Sequence, residues 1–169
     1  MMDTMEKTKI TPEEYKRLKA EVIDKIVVAR VGLLLRHPFF GNMATRLQIK
    51  ECDEWCPTAA TDGRNLFYNV DFFSKLSNKE IEFVIAHEIL HCVFDHMTRR
   101  EDRDPQLHNI ACDYIVNNTL CRDNIGEKPK DIQIFQDWKY DGWTSEAVYD
   151  DIYKKGKEKM EQLGKLLDE

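Results

Sequence analysis

The sequence predicts an α+β fold in which a small mixed or antiparallel sheet packs against an N-terminal helix and a second, histidine-bearing helix, with further helices after it. Three observations carry that expectation. A long capped helical segment occupies residues 11–36, short runs of strand character fill 47–70, and helical patterns return at 78–98 and 105–122. All of 1–169 is expected to form one domain, because the chain is long enough for one sizeable core and short for two.

The first helix opens at Thr11, an N-cap residue followed by Pro12 at the first helical position and Glu14 at the third, which is a capping box. Leu18, Val22, Ile26 and Ala29 then recur at helical spacing, and His37-Pro38 ends the run near Arg36. Next, Leu47 and Ile49 alternate with polar neighbours. The Asp62-Gly63 pair marks a turn, and Leu66, Phe67, Tyr68 and Val70 have the aromatic and β-branched bias of a strand. Two or three short strands are therefore expected before residue 77.

Ser77 and Glu80 form a second capping box, so the next helix should begin near Asn78 and run to about Met97 or Thr98. After the charged run TRREDRD, Pro105 opens another helical pattern that ends between Cys121 and Asp123. The long connection that follows contains one β-like piece, DIQIF. Thr144 or Ser145 then caps a closing helix whose tail is too polar to pack throughout.

Composition removes several classes of function. With 42% hydrophobic and 33% charged residues the chain is too apolar to stay disordered. Lysine and arginine total 25 against 31 acidic residues, the net charge is -6, and the cations are scattered, which argues against nucleic acid as a partner. The longest apolar run, VARVGLLL, is about half a membrane span and contains Arg30, so no membrane partner is expected. The first ten residues lack the charge and hydropathy pattern of a secretory signal, pointing to the cytoplasm. Five cysteines at irregular spacing are then expected to remain thiols.

The chemistry is concentrated in FVIAHEILHCVFDH, residues 83–96. His87 and His91 are four residues apart, so both rings leave one face of a helix and can meet a single ion, with Glu88 beside the same site to hold a water. This HExxH pattern lies in an apolar helix centre, where two imidazoles and a carboxylate without partners would each cost a few kcal/mol. A dication satisfies all three. The bland alternative is two core histidines and a Glu88 paired with Arg30 or another cation.

Catalytic zinc takes three protein ligands and keeps a fourth position for water. On a continuing helix His96 would lie about 140° from His91 and face the wrong way. Asp95 shares the histidine face but sits roughly 12 Å along the axis from His87, too far for a shared ion; it is expected behind His91 as a hydrogen-bond acceptor, and a surface pair with Arg99 is at least as good an assignment. Asp113 is the stronger third ligand. It belongs to a stripe with Asn109, Ile110, Val116, Asn117 and Leu120 on a face expected to pack inward, and a carboxylate there needs a counter-charge. Its competing explanation is a salt bridge to lysine or arginine. Asn117 can orient a ligand histidine. His108 competes as a ligand, with an exposed position near the helix start as its simpler explanation.

The blocks AATDGRNLFYN, LSNKEIEFVIAHEILHCVFDH and HNIACDYIVNN, in that order and spacing, resemble a metallopeptidase domain family that in many bacteria precedes a von Willebrand factor A-like domain; SEAVYDDIY resembles the family's closing helix. The resemblance implies a zincin-like fold with an edge strand before the active-site helix. It also implies His87, His91 and Asp113 as zinc ligands and Glu88 as general base. Two departures stand out: His108 occupies a position often aromatic in relatives, and the chain ends where the A-like domain would begin. An unknown protein partner is the expected replacement for that module.

The function expected is hydrolysis of peptide bonds in a peptide or protein substrate through a zinc-bound water, with the strand NLFYNV pairing with extended substrate and Tyr114, His108 or Tyr140 as oxyanion donor. The rival from another class is a metal-binding interaction module that uses the same groove without turnover. A third reading, structural zinc held by Cys52 and Cys56, is weak without a second matched pair, and Cys92 and Cys112 are expected to pack as small hydrophobes.

Overall fold

The computed structural model describes residues 10–94 and 96–167. Helix α1 spans Pro12–Arg36, and its start is the expected reciprocal cap: Thr11 Oγ1 accepts from the Glu14 amide at 3.2 Å and the Thr11 amide donates to the Glu14 carboxylate at 3.1 Å. Val22, Ile26, Ala29 and Leu33 form its buried stripe. His37 leaves the helical conformation, at φ -137° and ψ 75°, before Pro38, which opens a helix not expected from the sequence, α2 at Pro38–Arg46. The two helices meet at Gly41, where a Cβ would lie 2.2 Å from the Leu34 Cα. Only glycine allows that approach.

Three strands follow: β1 (Gln48–Glu51), β2 (Ala59–Thr61) and β3 (Asn65–Tyr68). Their spatial order is β1-β3-β2, with β1 parallel and β2 antiparallel to β3. The strand NLFY is therefore the middle of the sheet, paired on both sides, and the expectation that it receives an extended substrate is corrected: the available edge beside the histidine helix belongs to β2. Val70, expected to continue the strand, begins the short helix α3 (Val70–Ser74), capped by the Asn69 side chain. Asp53 ties these parts together, accepting from the Val70 amide at 2.8 Å and from the Tyr15 hydroxyl of α1.

Helix α4 spans Asn78–Val93 and carries the second expected capping box, Ser77 with Glu80. It ends four or five residues before the sequence-based limit; Phe94 caps it and a separate short helix, α5, covers His96–Arg99. Helix α6 (Pro105–Arg122) ends as expected. The amide of Ile125 donates to the Leu120 carbonyl at 3.0 Å and that of Asn124, at φ 54°, to Cys121 at 3.4 Å, a left-handed cap closed by an apolar contact between Ile125 and Leu120. Helix α7 covers Ser145–Leu167, with Thr144 accepting from Ala147, and beyond Ile152 the described side chains are exposed.

DIQIF forms no strand. Residues 126–137 instead make a strap pinned at both ends: the Glu127 amide donates to Lys79 O and the Lys130 amide to the Glu80 carboxylate, each at 3.0 Å, while Asn117 and Asn118 hold the carbonyls of Phe135 and Asp137 at 2.9 and 2.8 Å. Gly126, at φ 63°, lets the strap begin against α4, where a Cβ would stand 2.5 Å from the Phe83 nitrogen. The main core lies between α1, the sheet, α4 and α6. Its histidine helix also holds a buried acid: Glu82 is 2% exposed and paired with Arg36. No helix among the described residues is long and apolar enough to cross a membrane.

Candidate metal centre

One turn of α4 separates His87 from His91, and α6 crosses so that Asp113 faces both rings. The two Nε2 atoms are 2.9 Å apart, and Asp113 Oδ1 lies 3.0 Å from His91 Nε2 and 3.2 Å from His87 Nε2. A tetrahedral ion with nitrogen and oxygen ligands at about 2.0–2.1 Å separates them by about 3.3 Å, so the triangle is close to the size a zinc-class ion requires. The three side chains are 20–30% exposed, reachable from solvent yet largely enclosed. This is the one His/Cys/Asp/Glu cluster among the described residues with metal-ligand spacing.

The hydrogen-bond pattern explains why a cation suits the space. Asn117 donates through Nδ2 to Phe135 O, which turns its Oδ1 toward His87 Nδ1 at 2.8 Å. The proton of a neutral His87 therefore sits on Nδ1, leaving the Nε2 lone pair aimed at His91 and Asp113. On the other ring, His91 Nδ1 is 3.0 Å from His96 Nδ1. If His91 donates there, three acceptor atoms converge with no proton among them, an arrangement that needs either an added proton or a metal ion.

Charge preferences follow the same geometry. Burial works against a charged His87, but the Asp113 hydrogen bond and the nearby Glu88 charge outweigh it and raise its pKa. Burial would raise the Asp113 pKa, yet the two imidazoles reverse this and hold it down at about 2. Glu88 points into the same space without a hydrogen-bond partner among the described residues, and burial pushes its pKa above the usual carboxylate value despite the two rings.

His96 corrects a premise of the sequence argument. Because α4 stops at Val93, His96 is not carried round a continuing helix; its ring returns to the rear of His91 and is 4% exposed. It is no member of the ligand triangle, but it contacts a ring that is. Burial and the neighbouring His91 lower its pKa to about 4, so it is neutral and able to accept. His108, expected as a ligand or as an exposed residue, is neither: it is 1% exposed and donates from Nε2 to His96 O at 2.7 Å. The Nε2 of His96 and Nδ1 of His108 have no partner among the described residues.

Asp113 makes no lysine or arginine pair among the described residues, and Asn109 of its stripe is exposed. Asp95 lies outside the described residues; Arg99, its suggested partner, grips Glu146 with two bonds of 2.9 and 2.6 Å. Cys52 and Cys56 are free, the thiol of Cys52 lying 3.6 Å from the Cys56 carbonyl. Cys112 is buried as expected, whereas Cys92 is exposed and faces Thr61 of β2 at 4.0 Å. Of the oxyanion candidates, Tyr140 donates to Asp151 at 2.7 Å and His108 is committed to His96, which leaves Tyr114, packed on Phe135.

Beside the triangle lies a cavity of about 230 Å³ between α4, β2 and the strap, with His87, Glu88 and Asp113 at one end. The strap and His96 were not legible as parts of the site; the one available signal was the pair Asn117-Asn118 on an otherwise apolar helix face. No curated protein and no solved structure matches the chain. The model of a family described as "Putative metallopeptidase domain" matches residues 23–166, most of the sequence, and the chain belongs to that family.

Proposed function

We propose that the chain is a zinc-dependent peptidase of zincin-like architecture, in which His87, His91 and Asp113 hold the metal and Glu88 is the general base. The observation that carries this reading is the meeting of three acceptor atoms within 3.2 Å of one another beside a carboxylate that has no other partner. Two imidazoles and one carboxylate suit zinc. Bound zinc supplies a water of near-neutral pKa and polarisation of the scissile carbonyl.

The remaining steps belong to the protein. Glu88, its pKa raised by burial, accepts a proton from the attacking water and returns it to the leaving amine. Asn117 and His96 keep the two imidazoles in the tautomer that presents Nε2 to the metal. Extended substrate pairs with β2. Thr58 is bonded to Asn69 and Ala60 stands opposite Phe67, so by the alternation of an antiparallel ladder Ala59 and Thr61 turn their main-chain groups outward.

The alternative is a binding module that holds metal and peptide without turnover. Elemental analysis of the purified protein and of His87→Ala tests the first link: a stoichiometric zinc ion lost on substitution is expected, and no bound metal in the wild type refutes the assignment. Glu88→Gln then separates the two readings, since an enzyme loses hydrolysis while keeping zinc.

A further inference from the structure

The cavity beside the metal triangle is not needed to hold the ion, and its walls say what it accepts. Phe72, Phe83, Val84, Ile132, Ile134 and Phe135 line it, while its charged lining groups, Glu88 and Asp113, are both at the metal end. An apolar cavity of about 150 Å³ admits a benzene ring. At about 230 Å³, this one has room for a whole aromatic or branched aliphatic side chain.

A carboxylate entering there would lose its hydration with no counter-charge to replace it, and a cation would meet carboxylates only at the metal end and none along the apolar walls, whereas an apolar group gains burial. The pocket is also preformed. Its outer wall is the strap, held at one end by Lys79 and Glu80 and at the other by Asn117 and Asn118. The inner wall is α4, so Val84 stands one turn before Glu88 on that helix.

We propose that this pocket selects a bulky uncharged residue, of leucine or phenylalanine type, adjacent to the peptide bond presented at the metal site. The inference rests on the peptidase reading for the peptide bond presented at the metal site. The pocket itself is testable by binding alone, without turnover.

The experiment uses full-length, zinc-loaded Glu88→Gln protein with labelled methyl groups. It is titrated with acetylated, amidated hexapeptides of alanine that carry alanine, leucine, phenylalanine, lysine or glutamate at the fourth position. The leucine and phenylalanine peptides are expected to bind about 10- to 100-fold more tightly than the alanine peptide, from burial of one large side chain, and to shift the methyl signals of Val84, Ile132 and Ile134. The lysine and glutamate peptides should bind no better than alanine.

Phe135→Asp provides the second arm, because Phe135 is 41% exposed and contributes its side chain to the wall without being needed in the core. It is expected to lower the phenylalanine peptide's advantage about tenfold and to raise the lysine peptide above alanine. Affinities within twofold across the five peptides, or no shifts at the three methyl-bearing residues, overturn the proposal. Wild-type protein with the same peptides keeps the two ideas apart: discrimination in binding with no cleavage removes the peptidase reading and leaves the pocket, while cleavage without discrimination removes the pocket and leaves the peptidase.

Discussion

The Nδ1 atoms of His91 and His96 are 3.0 Å apart because α4 ends between them, whereas a continuous helix would carry the rings to different sides. A neutral His96 is placed to accept from the ring that faces Asp113. Replacing it with alanine removes that acceptor and frees His91 to turn. Metal affinity in His96→Ala should fall about 10- to 100-fold, and His96→Gln, which can still accept, should recover part of the loss. Competition with a chromogenic chelator measures both; equal affinities in all three proteins would remove the role assigned to His96.

Asn117 serves two masters at once, accepting from His87 and donating to Phe135 O. Asn117→Asp keeps the acceptor and deletes the donor. Zinc affinity is therefore expected to survive, whereas amide hydrogen exchange in 131–136 should accelerate. Protection of the strap unchanged from wild type would show that Asn117 does not pin it.

Metal and fold are linked, since the unfolded chain does not hold two histidines and Asp113 together. Saturating zinc should stabilise the wild type, by about 2.7 kcal/mol at a free concentration one hundred times Kd, and so raise its melting temperature, while leaving His87→Ala unmoved. Calorimetry with and without chelator reads the difference.

Arg36 reaches the buried Glu82 carboxylate, for which Lys79 at 3.8 Å is the more distant second partner. Arg36→Ala is expected to destabilise the fold by about 1–3 kcal/mol, because a buried charge is left poorly compensated. Adding Glu82→Gln should restore part of it. Urea unfolding of the two variants gives the sign; a double variant weaker than the single one contradicts the argument.

A pH dependence follows from Glu80. Burial alone would raise its pKa, but the amides of Ser77 and Lys130 donate to the carboxylate and lower it below the ordinary value. Its folded pKa is thus below its unfolded one, so the stabilisation is complete above the unfolded value of about 4.3 and drains away as pH falls through the folded value. Glu80→Ala should cost about 1 kcal/mol at pH 7, with the gap to wild type narrowing at acid pH. Urea midpoints under the two conditions check it.

What could be read in one dimension was whatever short-range physics encodes. Both capping boxes, the ends of α1 and α6 and the common face of His87, Glu88 and His91 depend on neighbours within one or two helical turns. Periodicity alone also placed Asp113 on the face of α6 that meets α4. Asn117 was legible for the same reason, four residues further along that face.

Tertiary packing decided the rest. Strand order is a matter of which edges meet, so β3 became the paired centre and β2 the open edge although NLFY had the stronger strand composition. Helix α4 stopped at Val93 with no proline or glycine to announce it, and that early stop is what brings His96 behind His91. DIQIF has the alternation of a strand but found no partner to pair with; asparagines from α6 and the first turn of α4 bind its flanks instead. A sequence specifies its local hydrogen bonds directly, whereas contacts between distant segments exist only once the core has chosen which faces are buried together.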